Sequence, residues 1–456
     1  MNMASIISGR IHCSPVFKWR IKTEKISTLI YGHFVEHLGR VGPAEKRPQL
    51  VNYVWGGLES NRFVTDEFIE YCRAAGAEPY ITISLGNGML DKALHWLEYP
   101  NLDTSTKYAN MRKESGHRVK YWGVGNEVYG EWQVGHWSGG EYAEKLRQYA
   151  QFMKGLDPFI KVIAVGADDP EWDLRVLKRA GKLNDFVSIH QHHGPDDYYE
   201  TVAAAYYVER RLRLLESLIK TVGPDHIKIT LDEWNVWYRV DPAEEMKQRG
   251  AAFLEEPYVL KDALFAAGVF LVLHRMCDIV QMANLAQMVN VLGMIKANPK
   301  GTVFTSIYHV FDLFANYTGR TRLGLEITMD HYSVKAKSFL KGSFSFGVEN
   351  VLYLDGSATY DAARNMLCLA FLVNYHNNKL AEVEIDLSDL KVSGNSSLFE
   401  LTAPEPFIGN DFEDPNRVHV VQSRWTLEAS HLVLPLSSLS VLEASFKRDP
   451  LNGGER

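Results

Sequence analysis

Tyr121-Trp122-Gly123-Val124-Gly125-Asn126-Glu127 and Ile227-Lys228-Ile229-Thr230-Leu231-Asp232-Glu233-Trp234-Asn235 decide how this chain is read. Each is a mostly apolar run of strand length that ends in a polar cluster holding a glutamate. A strand buried on both faces shows no alternation, and its first polar residues mark where it leaves the sheet. Two such strands bring two carboxylates to their C-terminal ends. Paired carboxylates are the machinery of glycoside hydrolysis, one serving as acid and the other as nucleophile or base.

Working outward, strand-like and helix-like segments alternate from about Ile26 to Phe311. Strands are expected at Ser27–Phe34, Glu78–Leu85, Val119–Val124, Ile160–Val165, Asp185–His190, Ile227–Leu231 and Met282–Val289. Helices are expected at Thr65–Ala75, Leu90–Glu98, Gly140–Leu156, Trp172–Ala180, Tyr198–Thr221 and Lys261–Arg275. Repeated β–α units of this length argue a parallel sheet, closed as a barrel or doubly wound. Polar residues follow several different strands, which favours a (β/α) barrel with its site at the C-terminal face. The chain has no GxGxxG or P-loop to support nucleotide binding. After about Asp330 short alternating runs are punctuated by Gly, Asn, Asp and Pro, the texture of an antiparallel β-sandwich. Ile6–Ile21 alternates too and is expected to join it. The division is therefore 1–25 as N-terminal strands of the sandwich, 26–325 as the barrel and 326–456 as the C-terminal β-sandwich.

Hydrophobic residues make up 46% of the 456 and charged residues 23%, an ordinary globular balance that permits a large core. The net charge of −7 comes without a basic stripe, so neither nucleic acid nor anionic lipid is an expected partner. The four cysteines are far apart and lack CxxC spacing, which argues against a zinc site or disulfide framework. No secretory leader is legible at the N-terminus, and the most apolar stretch, Ala263–His274, is too short to span a bilayer.

Several residues compete for roles. Glu127 either works in a site or caps the following helix, and Asn126 beside it can hold a sugar hydroxyl. Glu233 lies in Asp232-Glu233-Trp234-Asn235-Val236-Trp237-Tyr238, a density of polar and aromatic groups costly in a mere core. Asp232 points to the opposite face of its strand and is expected to make structural hydrogen bonds. Glu36 and His37 end another strand. His190, His192 and His193 crowd four residues, but no carboxylate–His ligand spacing accompanies them, so no metal is expected. Trp55 either stacks on a sugar face or packs under its own loop. Ser84 and Ser188 lack a GxSxG elbow.

Tyr31-Gly32-His33-Phe34-Val35-Glu36-His37-Leu38-Gly39, Trp122–Glu127 and Asp232–Tyr238, taken in order, resemble glycoside hydrolase family 51, the α-L-arabinofuranosidases. Trp55–Phe63 and Ala286–Leu292 look like further segments of that family, and the likeness runs over most of the chain. The resemblance implies a (β/α)8 TIM barrel plus an antiparallel β-sandwich, retaining stereochemistry, no cofactor and a homo-oligomer, a hexamer by analogy. It matches Glu127 to the general acid/base and Glu233 to the nucleophile. Asn126 and Glu36 match residues that hold furanose hydroxyls, and His190 a histidine of the family's sixth barrel strand. His192 stands where the family commonly carries a tyrosine bonded to the nucleophile, and Thr305 near where some relatives place a glutamine.

One departure is large. Family members carry several dozen residues between Gly39-Arg40 and Gly42-Pro43, including the first barrel helix and second strand, whereas this chain passes directly to Val41. A barrel missing these elements is expected, with lower stability and activity. The leading expectation is an exo-acting enzyme of the cytoplasm, taking terminal arabinofuranosyl residues from arabinose-containing oligosaccharides or polysaccharides. The alternatives are a non-catalytic sugar-binding pseudoenzyme and another retaining glycosidase such as a β-xylosidase or endoglucanase.

Overall fold

The computed structural model describes residues 5–14, 24–34, 49–51, 58–59, 61–86, 88–112, 117–194, 197–238, 254–335, 347–388, 390, 392–426 and 431–446. It separates into two compact units, one of Met1–Phe34, Gln191–Arg211 and Glu233–Arg456, the other of Val35–His190 and Leu212–Asp232.

The second unit holds β2 (Tyr80–Ile83), β3 (Tyr121–Val124) and β4 (Lys161–Val165), with most of β5 (Phe186–His193) and β6 (Lys228–Val236). β2, β3, β4 and β5 pair in parallel, each with its sequence neighbour. Helix α1 (Thr65–Ala74) precedes β2, and the three connections are helices α2 (Leu90–Asn101), α3 (Gly139–Leu156) and α4 (Pro170–Ala180). The sequence starts α3 and α4 explicitly. Ser138 and Glu141 cap the first reciprocally, while Asp169 accepts from the Glu171 N–H and Pro170 opens the second. The unit curls. Four inter-strand steps separate β2 from β6, about 19 Å in a flat sheet. Yet the Tyr80 hydroxyl donates to Asp232 Oδ2 at 2.9 Å.

In the first unit, β1 (Gly32–Phe34) pairs in parallel with β7 (Val280–Ala286). The strand order of the whole sheet is β1-β7-β6-β5-β4-β3-β2. Among the described residues that is barrel order over seven strands, with β1 and β2 at its two ends. Among the described residues, a short hairpin, Leu50–Val51 with Leu58–Glu59, and helix α1 lie between them in the chain. Helix α5 (Tyr198–Val222) follows β5, α6 (Leu260–Arg275) precedes β7, and α7 (Ser306–Tyr317) follows it. Leu260–His274 is buried all round, which makes α6 a core helix. Among the described residues, no helix is long and apolar enough to cross a membrane.

The same unit contains the sandwich. Ser5–Ser14 lies between Thr321–Thr328, which it pairs antiparallel, and Lys379–Asp386, which it pairs parallel. Ile7, Ile11 and Cys13 face its core with Val383, Leu434 and Leu442, while Ile6 is exposed, the period of two that a half-buried strand requires. The C-terminal end of the sandwich is two strands, His431–Leu434 and Ser438–Phe446. The break falls where Ser437 takes a φ of 42°.

Candidate active site

Glu127 is placed by a turn rather than by its strand. β3 is buried throughout and ends at Val124. Gly125 then adopts φ 88° and donates its N–H to the Ile83 carbonyl. A Cβ there would stand 2.9 Å from Val128 Cγ1, so both conformation and space call for glycine. Glu127 itself takes φ 45°, the left-handed region that non-glycine residues enter at a cost and that clusters at functional sites. The loop beyond is held by the Gly130 N–H on the Glu127 carbonyl and the Trp137 N–H on the Val128 carbonyl.

This loop supplies partners to the carboxylate it carries. Trp132 Nε1–H donates to Glu127 Oε2 at 2.8 Å, and the Tyr129 hydroxyl donates to Oε1 at 3.3 Å. His190 Nδ1 lies 3.0 Å from Oε1. Tyr129 is fixed edge-on against Trp132 and Trp172. The Glu127 side chain keeps 16% of its surface, and Trp132 is 48% exposed. Asn126, half-buried, precedes Glu127 in the same turn.

Asp232, expected to be structural, does make a hydrogen bond, and it comes from Tyr80. Its Oδ1 stands 3.5 Å from His190 Nε2. The imidazole therefore lies between the carboxylates of Asp232 and Glu127.

In the other unit, Glu233 sits inside the extended run of β6. His192 Nε2 lies 3.0 Å from Glu233 Oε1, and the His192 ring meets the Trp237 ring edge-on at 5.5 Å. The strand end is anchored by buried groups. Asn235 Nδ2 donates to the carbonyls of Ala286 and Leu292, both at 2.8 Å, and the Tyr258 hydroxyl donates to the Val236 carbonyl. Trp234 is fully buried and stacks on Phe311. The aromatic density around Glu233 is thus partly core and partly wall. Burial among Tyr207 and Phe265 lowers the His193 pKa to about 3, so its ring is neutral. Thr305 is buried and gives its hydroxyl to the Met294 carbonyl. Glu36, His37 and Trp55 lie outside the described residues.

Trp132, Tyr129 and Tyr80 did not stand out in the sequence. Trp132 had one legible sign, its place five residues beyond Glu127 in a glycine-bounded loop.

Comparison with known proteins gives this geometry its context. Family models described as the α-L-arabinofuranosidase 1 domain and the α-L-arabinofuranosidase C-terminal domain match residues 34–210 and 232–440. An α-L-arabinofuranosidase C from Emericella nidulans is 34% identical over 430 residues, covering 88% of this chain and 81% of that one. This chain belongs to the α-L-arabinofuranosidases of glycoside hydrolase family 51. Within the family, an intracellular exo-α-L-arabinofuranosidase of Bacteroides ovatus is 30% identical over 408 residues, covering 83% of this chain and 74% of that one. The arabinose complex of the Thermotoga maritima α-L-arabinofuranosidase superposes with a TM-score of 0.86 at 38% identity. It covers 95% of this chain and 99% of that one. The Thermotoga petrophila family 51 enzyme gives 0.85 at 37%, with 95% and 99% coverage. Asn126, Glu127, His190 and His192 fall within the first matched domain, and Glu233 opens the second.

Proposed function

We propose that this chain is a retaining, exo-acting α-L-arabinofuranosidase that releases terminal non-reducing arabinofuranosyl residues from arabinose-containing oligosaccharides or polysaccharides. Glu233 attacks the anomeric carbon while Glu127 gives its proton to the leaving oxygen as the glycosidic bond breaks. Ionised Glu127 then takes a proton from water, whose oxygen displaces Glu233 and frees arabinose. Asn126, Glu36, His190 and His192 bind or orient, and Trp55 walls the sugar. The chemistry calls on side chains and water, without metal or cofactor.

The observation that carries this reading is the pair of glutamates at the C-terminal ends of β3 and β6, each bonded to a histidine of β5, in a chain of this family. We further propose the domain division 1–25, 26–325 and 326–456, a cytoplasmic setting in keeping with the intracellular Bacteroides relative, and a homo-oligomer, a hexamer by family analogy.

Purified protein is to be assayed on 4-nitrophenyl α-L-arabinofuranoside beside the β-xyloside and β-glucoside, with ¹H NMR of the first product. Fastest turnover of the arabinofuranoside, with the α-anomer released first, is expected. Faster xyloside turnover, or β-arabinose first, overturns the proposal.

A further inference from the structure

Asp232 is a buried carboxylate whose setting neither packing nor the two-glutamate mechanism accounts for. It is 5% exposed. Oδ2 accepts from Tyr80, which reaches it because Gly123 has no side chain in the way. A Cβ at Gly123 would come within 2.8 Å of the Tyr80 hydroxyl oxygen and 2.6 Å of Thr82 Oγ1. Oδ1 is buried and accepts no hydrogen bond among the described residues, and His190 Nε2 stands 3.5 Å from it. An anionic oxygen left unpaired in the interior is costly, so it favours the state of its neighbour that presents a hydrogen.

We infer that Asp232 is a positioning residue that keeps the His190 proton on Nε2 and so leaves Nδ1 as an acceptor. The consequence falls on Glu127, because Nδ1 is 3.0 Å from Glu127 Oε1. A lone pair on Nδ1 accepts the O–H of protonated Glu127 and opposes its ionised form. The resting site thus holds the proton the first step needs. When the glycosidic bond breaks, that hydrogen passes from Glu127 to the leaving oxygen, while the His190 proton stays on Nε2. The opposite tautomer would turn Nε2's lone pair on Oδ1 and stabilise a Glu127 carboxylate that has no proton to give. The tautomer is set by the group behind the ring, as in other catalytic histidines. This inference rests on Glu127 being the acid/base.

Asp232→Asn keeps the shape and the Tyr80 contact but offers an N–H to Nε2, which drives the His190 proton to Nδ1. The readout is kcat/KM on two arabinofuranosides, one with an alkyl alcohol leaving group that needs protonation and one with 2,4-dinitrophenolate that does not. The alkyl substrate is expected to lose on the order of 10²-fold, the lower end of what a general acid contributes. The dinitrophenyl substrate should change by less than about threefold. Tyr80→Phe frees one anchor of Asp232 and should show the same split, smaller, which keeps the test intact should D232N not fold. An equal loss on both substrates, or no loss on either, overturns the inference. Glu127→Ala, run alongside, separates the two levels. If E127A splits the substrates and D232N does not, only the role of Asp232 fails. If E127A shows no split, the acid/base assignment itself fails.

Discussion

Glu127 and Glu233 both sit at strand ends, but by different constructions. Glu127 lies beyond its strand on a turn with two left-handed residues, and the tryptophan and tyrosine that bond it come from its own loop. Glu233 lies within a nine-residue strand pinned by Asn235 and Tyr258, and a histidine of the neighbouring strand bonds it. The contrast suits the two roles. A nucleophile must be aimed along one line at one carbon, and a strand interior fixes aim. An acid/base must be stable with and without its proton, so it needs partners that accept in one state and donate in the other.

The largest expected effect is on the aimed residue. Glu233→Ala should lower kcat by at least roughly 10⁴-fold on every arabinofuranoside, since no covalent intermediate can form. Residual turnover within tenfold of the parent would remove Glu233 from that role. The two supports should separate next. Trp132→Phe deletes the donor to Glu127 Oε2 and should cost roughly 10-fold, one charge-assisted hydrogen bond, concentrated on substrates with poor leaving groups. His192→Phe should cost a similar factor on all substrates alike, since every one needs attack by Glu233. If both variants show the same substrate dependence, the contrast between the sites collapses. Gly125→Ala should destabilise by about 1–2 kcal/mol and lower activity, because it forces a Cβ into a left-handed turn.

The smallest effect concerns pH and the first unit. Burial lowers the pKa of His33 to about 4 and those of His193 and His274 to about 3. All three rings are neutral when folded, whereas the unfolded chain binds their protons below about 6.5. Their contribution is therefore complete above that pH and is lost as pH falls toward 3–4. Thermal melts between pH 8 and 4.5 should show a declining Tm, and His274→Gln should flatten the decline. A Tm independent of pH over that range would contradict this burial account.

Much of this was legible in the sequence where local chemistry decides. The α3 helix, expected from Gly140, starts at Gly139 because Ser138 and Glu141 form a capping box. β5 and β6 run further than their apolar stretches, to His193 and Val236, because site residues at a barrel mouth stay in the hydrogen-bond ladder after the hydrophobic run ends. The strand expected from Ser27 begins instead as a 3-10 turn over Thr28–Tyr31, since the Ser27 hydroxyl captures the Leu29 N–H. The parallel pairing of Ser5–Ser14 with Lys379–Asp386 could not be read, because nothing local encodes which distant strand is a neighbour. The link from Tyr80 through Asp232 to His190 was hidden for the same reason, as it depends on how the sheet curls. The short passage from Arg40 to Val41 was legible, and the sheet ends on β1 and β2 to either side of it. Inserting a family strand–helix segment at that point should raise Tm by several degrees if the seven-stranded sheet lowers stability.

The most direct measurement is covalent. A slowly hydrolysed 2-deoxy-2-fluoro-α-L-arabinofuranoside with a good leaving group should add one pentosyl mass to the intact protein, and peptide mapping should place it on Glu233. A label on another residue, or steady turnover of the parent substrate without any trapped adduct, would contradict a retaining mechanism built on these two strand ends.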